Sequence, residues 1–500
     1  MMLKAGVLSL ALLVVSRLLG LVRESAQAAA FGTSGLADVA VLMLALPDWL
    51  AGVAASGALA YVLVPAWAGH PAGAVADLQR RVARVLMGLG VVTALAWVVL
   101  AWHGPLVRTL AAGLPEALGP VAAQAQVWSA IAFPLALLAA LWGTRLQHER
   151  DFLGLYAANL VVNGGLIVAI VLAGWSLAEA GAVSVLGVGL LAAMALRLAW
   201  QAWRLPRGVP VFAASATSEV ASGAIAVPAS GLWAWAVLSA GLPLTLPFVA
   251  RSLASASGEG ALATFNYAWK LVELPLVLAI QLVATLAFPA VARAVKQGLD
   301  EPRAREPVRV AFALAFALAC ACAAGLLVGA DALASLLFGW GRMPGPALAQ
   351  VADWGRVAAV GLPPQALAAV TLTVLASQGR MRPAAGLYAL ALVGLLGLAW
   401  IAPRDGAGWM AALNVVFGVV ALGLLLALGP GAARCLPVRA MAWPLAALIA
   451  VAALLRATGG AGVPGDLAPL SGLALAALAA LVVLGAAWQG AGAMRQALRR

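Results

Sequence analysis

Apolar residues run along this chain in stretches of about twenty, each closed by a short polar, glycine- or proline-bearing break. Wound as a helix, such a stretch crosses the roughly 30 Å hydrocarbon core of a bilayer. The runs are continuous rather than alternating, so helices are predicted and a transmembrane β-barrel is not. Fourteen spans are read, near residues 5–29, 36–64, 84–102, 123–144, 152–174, 182–203, 231–254, 261–290, 310–329, 347–376, 384–402, 409–429, 441–455 and 468–488. The expected fold is an all-α polytopic membrane protein.

Two stretches break the rhythm. Residues 204–230, RLPRGVPVFAASATSEVASGAIAVPAS, are rich in Ser, Ala and Pro and read as a linker between halves. Residues 331–346 are amphipathic, carry Trp340 and are expected along the outer interface. The halves also repeat: Arg23, Asp38 and Pro47 recur as Arg251, Asn266 and Pro275 at a constant offset of 228 residues. VPAWA near Pro65 and FPAVAR near Pro289 close the two hydrophobic pairs. Six spans separate the copies, so the repeat is parallel, about an axis along the membrane normal. The expected organisation is an N-lobe at 1–229, a C-lobe at 230–440 and a C-terminal helix pair at 441–500.

Composition sharpens this picture. At 64% hydrophobic and 10% charged over 500 residues, with a mean hydropathy of +1.03, a soluble domain is excluded. The net charge of +12 does not point to nucleic acid, because the basic residues collect in alternate loops. Placing both termini in the cytoplasm leaves Arg108, Arg342, Arg404 and Arg456 outside and the other loop and span-end cations inside, with Arg145 and Arg197 counted among them, as the positive-inside rule expects. The first fifteen residues look like a signal peptide, but Arg17, Arg23 and Glu24 fall where a cleavage region would lie, so they are read as a retained span. Cys320, Cys322 and Cys435 form no CxxC, and His70, His103 and His148 lie in different loops. Neither a disulfide framework, a metal site nor a cofactor is expected.

Charge inside the spans is the clue to function. A charged side chain at mid-bilayer costs about 2.5–3.5 kcal/mol on insertion scales, so it lines a wet cavity, pairs, or binds an opposite charge. Span 1 carries Arg17, Arg23 and Glu24; span 2 carries Asp38 and Asp48; span 7 ends at Arg251. In span 8, Asn266, Lys270 and Glu273 stand at i, i+4 and i+7 and form one polar stripe. One reading is local ion pairs that lock helices: Arg17 with Glu24, Lys270 with Glu273, Asp353 with Arg356, and Arg251 snorkelling. The other is a site between the halves in which Arg17, Arg23, Arg251 and Lys270 meet phosphate or pyrophosphate, held by the acids when it is empty. Trp49, Tyr267 and Trp269 are candidates to stack on sugars, or simply pack. No Ser/His/Asp set, phosphate-cradling GxxxxGK[ST] or ATP-binding domain occurs, so an enzyme is not expected.

SRLLGLVRE with FGTSGLAD and LPD at the start, and YAWKLVELP in span 8, resemble the MurJ (MviN) lipid II flippases of the MOP exporter superfamily. The likeness covers about the first seventy residues and about 230–310. It implies two six-helix lobes with two further helices, and a cationic cavity for the pyrophosphate and sugars of an undecaprenyl-linked precursor. Carried over by position, the cavity residues are Arg17, Arg23, Asp38 and Lys270, the last in place of an arginine. Ala51 and Gly52 occupy the places of a usual pair of arginines, and Ser56 that of a glutamate. The expected partner is therefore a polyprenyl-pyrophosphate-linked glycan lipid in the bacterial inner membrane. Flipping of another polyprenyl-linked surface glycan, cation-coupled export of the MATE type, and a non-transporting envelope scaffold are the alternatives.

Overall fold

Every predicted span falls on a helix or on consecutive helices in the computed structural model. It describes residues 2–53, 58–176, 178–205, 225–298, 301–401, 404–429, 432–458 and 468–490. Most of the expected linker, Ser56, Arg207 and the C-terminal Arg495, Arg499 and Arg500 lie outside the described residues. Contacts divide the chain into two units, Met1–Ala263 and Thr264–Arg500.

The first unit holds α1 (Met2–Phe31), α2 (Gly35–Val53), α3 (Leu59–Trp67), α4 (Ala72–Trp102), α5 (Pro105–Leu110), α6 (Gly119–His148), α7 (Phe152–Gly174), α8 (Glu179–Arg204) and α9 (Ser230–Ala254). It ends in the first residues of α10 (Ala261–Pro275). Helix α6 is its centre, packed against α2, α3, α4, α7 and α8 and buried along most of its length. Small residues let the helices approach closely: a Cβ on Gly165 would stand 3.0 Å from that of Ala193, and Gly187 lies against the Trp128 ring. Helix α9 joins this unit through Trp49, which stacks on Phe248 with ring centroids 5.0 Å apart.

The second unit continues from α10 through a π-helical turn at Leu276–Gln281 into α11 (Leu282–Gln297). There follow α12 (Pro302–Phe338), α13 (Gly345–Ala359), α14 (Leu362–Ser377), α15 (Met381–Ile401), α16 (Gly406–Ala427), α17 (Ala432–Cys435), α18 (Val438–Ala457) and α19 (Ala468–Gly490). Helix α12 is the centre here, flanked by α11, α13, α14, α18 and α19. It bends at Gly329 (φ −109°, ψ 16°), where Ala476 of α19 packs against the glycine. The helix then runs on to Phe338, so the first half of the amphipathic stretch at 331–346 is its last two turns.

Among the described residues, ten helices are long and apolar enough to cross a membrane, and α13 with α14, bent by 48°, makes an eleventh. The three other predicted spans, 5–29, 36–64 and 261–290, fall on α1, on α2 with α3, and on α10 through α11. These spans carry most of the charges singled out above: Arg17, Arg23, Glu24, Asp38, Asp48, Lys270 and Glu273. The chain is a multi-pass membrane protein.

One ion pair sits at a helix junction outside the spans. Asp151 caps α7, accepting from the Gly154 amide at 2.9 Å, and Arg204 grips both carboxylate oxygens at 2.6 and 2.7 Å. Burial pushes this carboxyl up, but the guanidinium and the cap outweigh it and hold it below the usual carboxylate range. A depressed carboxylate adds stability above its unfolded-state value and loses it as pH falls through the folded one. Thermal unfolding in detergent should therefore be flat near neutrality and fall below about pH 4, with a smaller acid-dependent loss in Asp151→Asn. Equal acid slopes would remove this pair from the account.

Candidate functional site

In the first unit the site is built on α1 and α2, which carry Arg17, Arg23, Glu24, Asp38 and Asp48 within their length. Arg23 of α1 is almost buried, and its guanidinium binds two carboxylates at once. Nη2 donates to Glu24 Oε1 at 2.8 Å and Nη1 to Asp48 Oδ2 of α2 at 3.0 Å. Glu24 is 5% exposed and Asp48 44%, so the cluster is closed on one side and open on the other. The Nε of Arg23 is buried and finds no acceptor within the described protein. Glu24 pairs with the neighbouring Arg23, not with Arg17, its partner in the local ion-pair reading. Arg17 itself is exposed half-way along α1, and no described carboxylate pairs with it.

Asp38 is placed differently from the cavity position expected of it. It is 1% exposed, and both its oxygens accept backbone amides: Oδ2 from Gly260 at 2.7 Å and Oδ1 from Ala263 at 2.8 Å. The carboxylate thus satisfies orphan amides at the start of α10 and meets the positive end of its dipole. Glu259 returns the arrangement, accepting from the Gly35 amide at the start of α2 at 2.7 Å. Gly260 makes this approach possible: its φ of +79° suits glycine, and its Cα lies against the Thr33 carbonyl, where a Cβ has no room. Arg251 lies over the Phe248 ring, 5.0 Å from its centroid.

In the second unit Lys270 Nζ donates to Glu273 Oε2 at 2.6 Å, the local pair that the i, i+3 spacing allows. Asn266 is buried one turn earlier on α10. The aromatic residues considered for sugar stacking are packing groups: Tyr267 is buried against Phe338, and Trp269 sits near Phe417. Arg356 pairs with Asp353 at 2.6 Å and also with Asp331, so it acts as a local clamp.

One residue was overlooked in the sequence. Arg197, counted among the cytoplasmic loop cations, lies inside α8 two turns from its end, with Asp48 as its acidic neighbour. The spacing of Leu190, Met194, Arg197 and Gln201 places it on the inward stripe of that helix, which was the available signal. Arg145, counted the same way, is buried in α6 over Trp67 and paired with Glu149.

The family model described as "Lipid II flippase MurJ" matches residues 27–463. The chain belongs to that family. The match begins just after Arg17, Arg23 and Glu24 and ends before α19. Among curated MurJ proteins, the probable lipid II flippase MurJ of Rhizobium meliloti (strain 1021) is 28% identical over 368 residues. That alignment covers 70% of this chain and 65% of the relative, so the chain matches less than two thirds of the relative's length. A solved MurJ structure, described as an inward closed conformation, superposes with a TM-score of 0.75 at 14% identity over 99% of this chain and 100% of that one. An inward-facing MATE multidrug transporter of the MOP superfamily follows at 0.61 and 18% identity, over 84% and 98%. The MurJ fold thus holds over 99% of the chain, and the wider MOP fold over 84% of it.

Proposed function

We propose that this protein is a flippase that carries an undecaprenyl-pyrophosphate-linked cell-wall precursor of the lipid II type from the inner to the outer leaflet by alternating access. Its place is the bacterial inner membrane, with both termini in the cytoplasm. The observation that carries the reading is Arg17, an exposed guanidinium half-way along a membrane-depth helix of a MurJ-family fold. Such a cation is costly against lipid and favourable beside an anion in a wet cavity. Pyrophosphate offers the paired oxygens that a guanidinium fork accepts.

Arg23 of the first unit is assigned to the head group, with Arg251 as a further cation, and Lys270 is the corresponding candidate cation of the second unit. Glu24 and Glu273 hold their partners when no anion is bound, and Asn266 is a neutral hydrogen-bonding group beside Lys270. Asp38 supports the site through the start of α10 rather than by touching the lipid. An exporter of organic cations would want acids in excess. In the first unit Arg17, Arg23 and Arg197 outnumber Glu24 and Asp48.

Growth of bacteria depleted of their own lipid II flippase tests this. Wild type and Arg17→Lys should restore growth, and Arg17→Glu should not, at equal membrane abundance. Because Arg17 is exposed, its replacements should stay within about 0.5 kcal/mol of wild-type stability. Full rescue by Arg17→Glu would favour a scaffold, and no rescue by wild type would rule out lipid II as cargo.

A further inference from the structure

The face of α8 that packs into the first unit is a stripe of Leu190, Ala193, Met194 and Gln201, all buried. Arg197 stands in this stripe, between Met194 and Gln201, so its stem leaves the helix toward the bundle interior. It lies seven residues, about 10 Å, before Arg204, whose pairing with Asp151 closes the same end of the helix. Its buried Nε shows the stem turned into the bundle rather than out toward lipid. Its acidic neighbour is Asp48, and the Oδ2 of Asp48 is already bonded to Arg23. The Nε of Arg197 is buried without an acceptor, and no described side chain forms a hydrogen bond or ion pair with the guanidinium.

The contrast with Arg23 decides the roles. Arg23 has both terminal nitrogens committed, one to Glu24 and one to Asp48, so an anion reaching it must first displace a carboxylate. Arg197 has terminal nitrogens to offer at once, beside a carboxylate that is half open. Buried donors in native proteins are met by water or ligand when the chain supplies no acceptor. The Nε atoms of Arg23 and Arg197 are two such donors, on α1 and α8, with Asp48 as the acid common to both arginines.

We propose that Arg197 is a substrate-binding residue of the first unit, the guanidinium that engages the pyrophosphate of the lipid-linked precursor. This rests on the flippase reading above. Arrival of the anion gives Arg197 the oxygen acceptors it lacks.

The full chain in detergent, titrated with undecaprenyl pyrophosphate and read by native mass spectrometry, provides the test. Arg197→Ala should weaken binding about tenfold or more, as loss of a charge-assisted hydrogen-bond pair does. Arg197→Lys should recover part of it, keeping the charge but not the fork. A second readout does not depend on affinity. The Arg197→Cys variant should react with a negatively charged methanethiosulfonate, and undecaprenyl pyrophosphate should slow that reaction severalfold. Wild-type affinity in Arg197→Ala, or a thiol that is unreactive or unprotected, overturns the assignment and leaves the flippase reading standing. No binding of undecaprenyl pyrophosphate by the wild type overturns both.

Discussion

Replacing Arg23 with alanine should destabilise the protein by about 3–5 kcal/mol, the usual cost of breaking a buried ion pair from one side. The size follows from its partners. Glu24 is 5% exposed at membrane depth and would lose a guanidinium at 2.8 Å, while Asp48, at 3.0 Å, would lose its link to α1. Lysine at position 23 should fall between, because one ammonium does not bridge two carboxylates on different helices as the planar fork does. Neutralising the acid as well should recover much of the loss. Arg23→Ala with Glu24→Gln is expected to be more stable than Arg23→Ala alone, with a coupling energy of about 1–3 kcal/mol. Denaturant or thermal unfolding of the purified variants measures all four corners of the cycle. Additive effects would show that the pair in the structure is not an energetic one.

The second large effect is expected at Asp38. Removing its carboxylate in Asp38→Ala leaves the Gly260 and Ala263 amides without their acceptor in a buried setting, a loss of about 3 kcal/mol or more given about 1.5–3 for each bond to a charged group. Asp38→Asn should do little better. It keeps one oxygen, but turns an NH2 toward the second amide, donor against donor. The damage should be local, at the start of α10. Hydrogen exchange at the amides of residues 260–264 should speed up more than in α6, where no bond to Asp38 is lost. Unchanged exchange there would separate Asp38 from the α10 start. Full growth rescue by a destabilised Asp38→Asn would fit the supporting role given to this residue, and a folded but inactive Asp38→Asn would point to direct contact with the lipid.

Much of this architecture was readable in one dimension. The apolar runs located the helices because transfer into a bilayer is a property of each segment, nearly independent of what packs around it. The charges in α1, α2 and α10 stood out for the same reason: each is expensive at that depth whatever its neighbours. The pairing of Lys270 with Glu273 and of Arg356 with Asp353 was also legible, since a spacing of three residues on a helix brings the side chains together.

What the linear pattern left open was the choice among partners far apart in the chain. Glu24 had two arginines within reach on its own helix, and the position of Asp48 on α2 drew Arg23 into the cluster rather than Arg17. The carboxylate of Asp38 is spent on amides 222 and 225 residues away, a role invisible to any pattern within span 2. Arg197 shows the same limit from the other side. Its proximity to the end of span 6 suggested a loop cation, whereas the rotation of α8 against α2 and α6 turns it inward toward Asp48. Hydrophobicity sums along a segment and so survives in the bare order of residues. The azimuth of one helix against another is set by side-chain packing across the bundle, and that azimuth determines which charges meet.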